Sequence, residues 1–146
     1  MPELTLHHAG YIVASIARSL EGWRVSLSAL SATDTFEDRI QRARVAFLDL
    51  PPAGAVKIEL VEPLGPDSPA ASFLEKGGGF HHLCFEVDDL DERIRFMKAN
   101  HAVLIRRPRP AVAFGGRRIA WMLTREKMLV EYLERAIRTP GLDQVK

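Results

Sequence analysis

The 146-residue chain has one cysteine, Cys84. No internal disulfide can form, and cysteine usage gives no sign of an oxidising compartment. Apolar runs stay well short of the roughly 20 residues that cross a bilayer as a helix, which excludes a membrane-inserted helix. The opening MPELTLHH has neither the basic start nor the apolar stretch of a secretory signal, so the expected location is the cytoplasm. An excess of one charge is also missing. The formal net charge of +1, from 20 Lys and Arg against 19 Asp and Glu, argues against a generic nucleic-acid binder. Basic residues do cluster in RRPRP at 106–110 and at Arg117 and Arg118, a pattern that suits a local phosphate contact. At 47% apolar and 27% charged residues, the composition is that of a globular protein of one-domain size.

Against these absences stands an internal repeat. LHHAGYIV at 6–13 returns as FHHLCFEV at 80–87, an offset of 74 from His8 to His82. RVAFL from Arg44 returns as RIAWM from Arg118, and the helical spacing Ile16, Leu20, Trp23 returns as Leu90, Ile94, Met97. KIELVE and LVEYLE each place one carboxylate mid-strand, Glu59 and Glu131, at an offset of 72, as a loop two residues shorter would give. Two copies of one supersecondary unit therefore share a core: module one over about 4–62, a connector at 63–79, module two over about 80–134, and a tail at 135–146.

Each unit reads as a strand, a helix, then further strands. Ser15 caps a helix running to about Leu30, and Asp88 or Asp89 caps one running to about Asn100. Residues 31–42 are polar and mixed. PPAG turns between strands over Arg44–Leu50 and Val56–Glu62, and a short helix over Ala70–Lys76 is ended by Gly77–Gly79. In the second unit, strands fall near Val103–Arg106, Ile119–Thr124 and Met128–Leu133, with RPRPAVAFGG as a loop. From Thr139 on, no apolar period remains and the chain is expected to fray.

A carboxylate inside an apolar strand is costly unless it is exposed, paired or bound to a cation. Here there are two, in matching positions, each with a His pair on a first strand. Two imidazoles and two carboxylates make a mixed N/O site suited to a divalent first-row metal, with positions left open for water or substrate. Spacing alone leaves either His of each pair as the ligand. Strand alternation favours His8 and His82, which share a face with the small Gly10 and Cys84, over His7 and His81, which share theirs with Ala9, Tyr11, Leu83 and Phe85. Cys84 reads as a small spacer, and His101, which has no counterpart, as a surface residue.

These features resemble the vicinal oxygen chelate superfamily, also called the glyoxalase/bleomycin resistance/dioxygenase superfamily. KIELVEPLGPDSPAASFLEKGGGFHHLCFEVDDLD at 57–91 is similar to its methylmalonyl-CoA epimerases. The resemblance implies an α+β fold of two tandem βαβββ modules pairing into a mixed, eight-stranded, open barrel-like sheet around a metal cleft. It implies His8, Glu59, His82 and Glu131 as ligands to Zn, Ni, Co, Mn or Fe. The activity implied is removal and return of the α-proton of an acyl thioester such as an acyl-CoA, with the metal stabilising the enolate oxygen. Glu131 is the implied base on one face. Val45 stands where some epimerases carry a second glutamate, which leaves Asp49 as the candidate for the other face. VAFGGRR and TREKM depart from the family's cleft-bordering loops; there Phe114, Arg117 and Arg118, with Lys57, are the candidate substrate contacts. A glyoxalase I-like lyase or isomerase and a non-catalytic drug-binding protein are the alternative readings, and a homodimer is the expected assembly.

Overall fold

Alternation along the strands sorts the side chains into two faces, and the two faces explain the architecture. The computed structural model describes residues 3–28 and 31–136. In chain order these form β1 (Thr5–Ile12), α1 (Ile16–Leu27), β2 (Ser31–Ala32), β3 (Phe36–Asp38), β4 (Ala43–Asp49), β5 (Lys57–Pro63), α2 (Ala71–Glu75), β6 (Gly79–Val87), α3 (Leu90–Ala99), β7 (Val103–Pro110), a 3-10 turn (Val112–Phe114), β8 (Arg118–Leu123) and β9 (Leu129–Glu134). The strands make one open, mixed sheet in the order β2-β4-β5-β1-β6-β9-β8-β7, with β3 pairing to β4 off this path.

The sheet is symmetric about its central pair. β1 and β6 run antiparallel, while β5 lies parallel to β1 and β9 parallel to β6. One face of each half is closed by a helix. On the first half, Leu20 and Trp23 of α1 pack with Ile16 over Ala46, Leu48, Ile58 and Leu60. On the second, Leu90, Ile94 and Met97 pack over Ala120, Met122, Val130 and Tyr132. Truncating a fully buried member such as Leu60 or Met122 to alanine costs about 2–5 kcal/mol. The intervening residues, among them Val45, Phe47, Val61 and Ile119, face the opposite side and line or adjoin the cleft.

Caps set the helix limits. The Ser15 hydroxyl accepts from Arg18 N–H, and the Asp89 carboxylate from Glu92 N–H. α1 ends at Leu27, short of Leu30, where Ser28 turns left-handed at φ 50°. Gly77, Gly78 and Gly79 all have positive φ, and a Cβ on Gly78 would sit 2.7 Å from the Ile12 carbonyl oxygen. This is why α2 ends there and the chain can fold back beside β1.

Nine strands form where eight were expected. The polar stretch 31–42 supplies two short strands, β2 and β3, both paired to β4; their order comes from that neighbour, since their own sequence has no period. β7 is longer than expected, continuing to Pro110. It is an edge strand, where proline's missing N–H breaks no ladder bond. The tail from Thr139 lies outside the described residues. No helix among the described residues is long and apolar enough to cross a membrane.

Candidate metal centre and active site

The register of the central pair brings the repeated residues together. His8 stands opposite Cys84, and Gly10 opposite His82; on the outer sides Glu59 neighbours Gly10 and Glu131 neighbours Cys84. Two antiparallel copies of one strand thus place the His of each beside the small residue of the other. His82 takes the space that a side chain at position 10 would fill, since an ideal Cβ there would lie 2.0 Å from His82 Cε1.

All four side chains are buried: His8 at 0% exposure, His82 at 1%, Glu131 at 2% and Glu59 at 5%. The two Nε2 atoms are 3.2 Å apart. His8 Nε2 lies 3.6 Å from Glu59 Oε1 and 3.6 Å from Glu131 Oε1, and His82 Nε2 lies 3.4 Å from Glu59 Oε1.

The first His of each pair stands beside the second. His7 Nδ1 is 2.8 Å from His8 Nδ1, and His81 Nδ1 is 2.9 Å from His82 Nδ1. Strict alternation would send them to the other face. The ladder, however, gains one residue between Leu6 and His8 on β1 and one between His82 and Phe80 on β6. Each gain is a β-bulge, which re-aims a side chain. The doubled HH was the visible signal; the bulges that make it useful were not.

Burial dominates the electrostatics. It pushes His8 and His82 down to about 3, with Glu59 partly opposing at His8. His81 falls to about 4 through burial and then the charge of His82, and His7 is also lowered, by burial first. Burial raises Glu59, and raises Glu131 further with the help of Glu59. Burial, followed by Glu131, drives the Cys84 thiol well up. Cys84 also clusters with His7 and His8.

The donor set fits a divalent cation. A neutral imidazole carries one N–H; the tautomer that donates from Nδ1 to its neighbouring His leaves Nε2 as a bare acceptor. Two such acceptors then face each other, and Glu131 Oε1 is buried with no hydrogen-bond partner among the described residues. Donors bound at about 2.0–2.2 Å to one ion stand roughly 3–3.6 Å from each other, the range seen here. His8, His82 and Glu131 group as ligands directly, and Glu59 reaches both histidines.

A cavity of about 270 Å³ opens beside these residues. His82, Glu59, Glu131, Phe114 and Trp121 line it, as do Asp38 and Arg106. Phe47 packs on His8 at 5.4 Å between centroids, and Trp121 on His82 at 4.5 Å. This pair of walls occupies equivalent places in RVAFL and RIAWM, so the repeat already contained it. Asp38 is 3% exposed and accepts from Gln41 N–H and Val112 N–H; nothing in its polar stretch marked it.

The other sequence candidates lie elsewhere. Asp49 and Lys57 pair with each other where β4 and β5 meet, outside the residues that line the cavity. Lys57, and then Ser31, hold the Asp49 carboxyl below its ordinary value. Arg117 pairs with Glu86 at 3.2 Å, and Arg118 with Glu134 at 2.7 Å and Asp91 at 3.2 Å.

Comparison with known proteins agrees with this fold. A profile of the Glyoxalase/Bleomycin resistance protein/Dioxygenase superfamily matches residues 7–121. The chain is 40% identical over 134 residues to the uncharacterized protein YqjC of Bacillus subtilis (strain 168), covering 88% of this chain and 91% of that one. It is 39% identical over 103 residues to the ethylmalonyl-CoA/methylmalonyl-CoA epimerase of Cereibacter sphaeroides, covering 68% and 73%. Among solved structures, a Streptomyces coelicolor methylmalonyl-CoA epimerase variant in complex with 2-nitronate-propionyl-CoA superposes with a TM-score of 0.77 at 25% identity, over 92% of this chain and 100% of that one. The chain belongs to the glyoxalase/bleomycin resistance protein/dioxygenase superfamily.

Proposed function

We propose that the chain is a divalent-metal-dependent enzyme that removes and returns the α-proton of an acyl thioester, in the manner of an epimerase. The observation that carries this reading is the buried, unpartnered Glu131 Oε1, set among three further acceptors at the wall of a cavity. His8, His82, Glu59 and Glu131 would hold the ion, whose chemistry there is that of a Lewis acid that stabilises negative charge developing on the substrate's carbonyl oxygen.

The protein's own groups do the rest. His7 and His81 fix the rings of the two ligand histidines, as neighbours of metal-bound imidazoles do. Trp121, Phe114 and Ile119 keep water from the reacting carbon. Glu131 takes the α-proton on one face and returns it. Asp38 is the cavity-lining carboxylate outside the four candidate ligands, and it takes the second face in preference to Asp49. An Asp38→Asn variant should therefore still exchange the α-proton of one epimer but convert it to the other about 100-fold more slowly. Equal loss of exchange and inversion, followed by NMR in heavy water, would count against a second base there.

Metal binding should depend on pH. The histidines, lowered to about 3 in the folded chain against 6.5 unfolded, contribute stability that is present above 6.5 and lost as pH falls toward 3. The raised carboxylates work oppositely: their contribution is present below 4.5 and lost as pH climbs through their folded values. A cation needs all four groups unprotonated and so displaces carboxylate protons. The rise in Tm on adding nickel or cobalt should accordingly grow as pH climbs above 4.5, by about 1.4 kcal/mol of stabilisation per pH unit for each proton still to be displaced. A metal-induced shift that does not vary with pH would contradict protonated carboxylates in the metal-free protein.

Substrate class is tested by offering metal-loaded protein 2-substituted acyl-CoAs beside the hemithioacetal of methylglyoxal and glutathione. Turnover of an acyl-CoA alone supports the epimerase reading. Turnover of the hemithioacetal alone supports the glyoxalase reading, and tight binding without turnover of either supports sequestration.

A further inference from the structure

β7 carries two arginines that the fold turns to the cavity-side face of the sheet by breaking its own register. Leu104 pairs with Met122, Arg106 with Trp121 and Arg109 with Ile119, with a ladder irregularity in each interval. Directly paired residues share a face of the sheet. Met122 lies in the helix-side core, whereas Trp121 and Ile119 line the cavity. Regular alternation would return Arg106, two residues after Leu104, to the helix side; the extra residue at 105 turns it to the cleft. The second irregularity does the same for Arg109, three residues further on.

Their surroundings give the arginines a use. Arg106 is half-buried and is the one arginine or lysine among the described residues that line the cavity, where Asp38, Glu59 and Glu131 bring three carboxyl groups. Arg106 and Arg109 form no ion pair among the described residues, in contrast to Arg117 and Arg118 at the start of the neighbouring strand. Arg106 also lies in the same cross-sheet row as Glu131, through Trp121, two strand spacings or about 10 Å away. A guanidinium rooted at that backbone spacing can hold one end of a ligand while Glu131 works at the other. Arg109 is exposed, further along the same face.

We propose that Arg106 and Arg109 form an anion-recognition strand, in which β7 binds oxyanions of the substrate: a carboxylate on its acyl group, a phosphate on its carrier, or one of each. Guanidinium groups grip both anions through paired N–H donors. This rests on the thioester reading above. It makes these two residues, and not the paired Arg117 and Arg118, the determinants of substrate choice.

The test is calorimetric and independent of turnover. Malonyl-CoA, acetyl-CoA, malonyl-pantetheine and acetyl-pantetheine are titrated into the wild-type protein and into Arg106→Gln, Arg109→Gln and, as a control, Arg118→Gln, with melting curves to show that each remains folded. The wild type should bind malonyl-CoA most tightly. Loss of about tenfold in Kd for malonyl over acetyl probes, in either of the first two variants, assigns that arginine to the acyl carboxylate. A similar loss for CoA over pantetheine probes assigns it to the phosphates. Kd values within twofold of wild type for all four probes in both variants, or a wild type that does not distinguish charged from uncharged probes, would overturn the proposal. A wild type that makes these distinctions but never exchanges an α-proton would leave the anion strand standing and sink the epimerase reading instead.

Discussion

Gly10→Ala should lower metal affinity by about 100-fold, the effect expected when a ligand loses its fixed orientation. The added Cβ would fall 2.0 Å from His82 Cε1 and 2.5 Å from both ring nitrogens, so the imidazole must leave its place. No compensating shift is available nearby, because His82 is 1% exposed and wedged against Trp121. Overpacking of this kind costs about 1–3 kcal/mol of stability, which a domain with an intact helix-side core survives. Gly22→Ala is the matched control. Position 22 lies inside α1 with nothing within 4 Å of its added Cβ, and alanine there should stabilise the chain by about 0.5–1 kcal/mol. The same methyl group therefore acts with opposite sign at two glycines. Metal titration and thermal melting of the two variants check both halves; a Gly10→Ala protein with wild-type metal affinity would show that His82 is not a ligand.

Glu131→Gln should slow exchange of the α-proton that it faces, in one epimer, by about 10³-fold, since a positioned general base contributes about 10²–10⁴, while leaving thioester binding nearly unchanged. The amide keeps the volume and an oxygen donor, so metal can be restored by raising its concentration. What it removes is the ability to accept a proton in a place that is only 2% exposed. Exchange rates at saturating metal, with thioester Kd measured in parallel, separate the two effects. Undiminished exchange would move the base elsewhere, and parallel loss of binding would favour a purely structural role.

Much of this site was legible because the chain repeats itself. A residue pattern found twice at an offset of 74 located the strands that carry His8 and His82 and the helical faces that pack behind them, and an offset of 72 located two glutamates in equivalent places. The same repeat held Phe47 and Trp121, which now form the walls beside the two histidines. What stayed hidden belongs to pairing. A bulge is one extra residue in a ladder, without a compositional mark, yet it puts His7 behind His8, His81 behind His82 and Arg106 beside the cavity. Asp38 owes its place to the pairing of β3 with β4, a contact that its polar segment does not announce. Asp49 was conspicuous as an acid at a strand end, and the structure spends it on Lys57 and Ser31.

The most direct test of the account is deuterium incorporation at the α-carbon. Wild-type protein is stripped, reloaded with one divalent metal, and incubated in heavy water with methylmalonyl-CoA and other 2-substituted acyl-CoAs, while NMR follows the α-proton. The account predicts exchange that needs the metal and that, for the epimer whose α-proton faces Glu131, falls steeply in Glu131→Gln. A metal-loaded wild type that exchanges no thioester, or exchange that persists equally without metal, would contradict it.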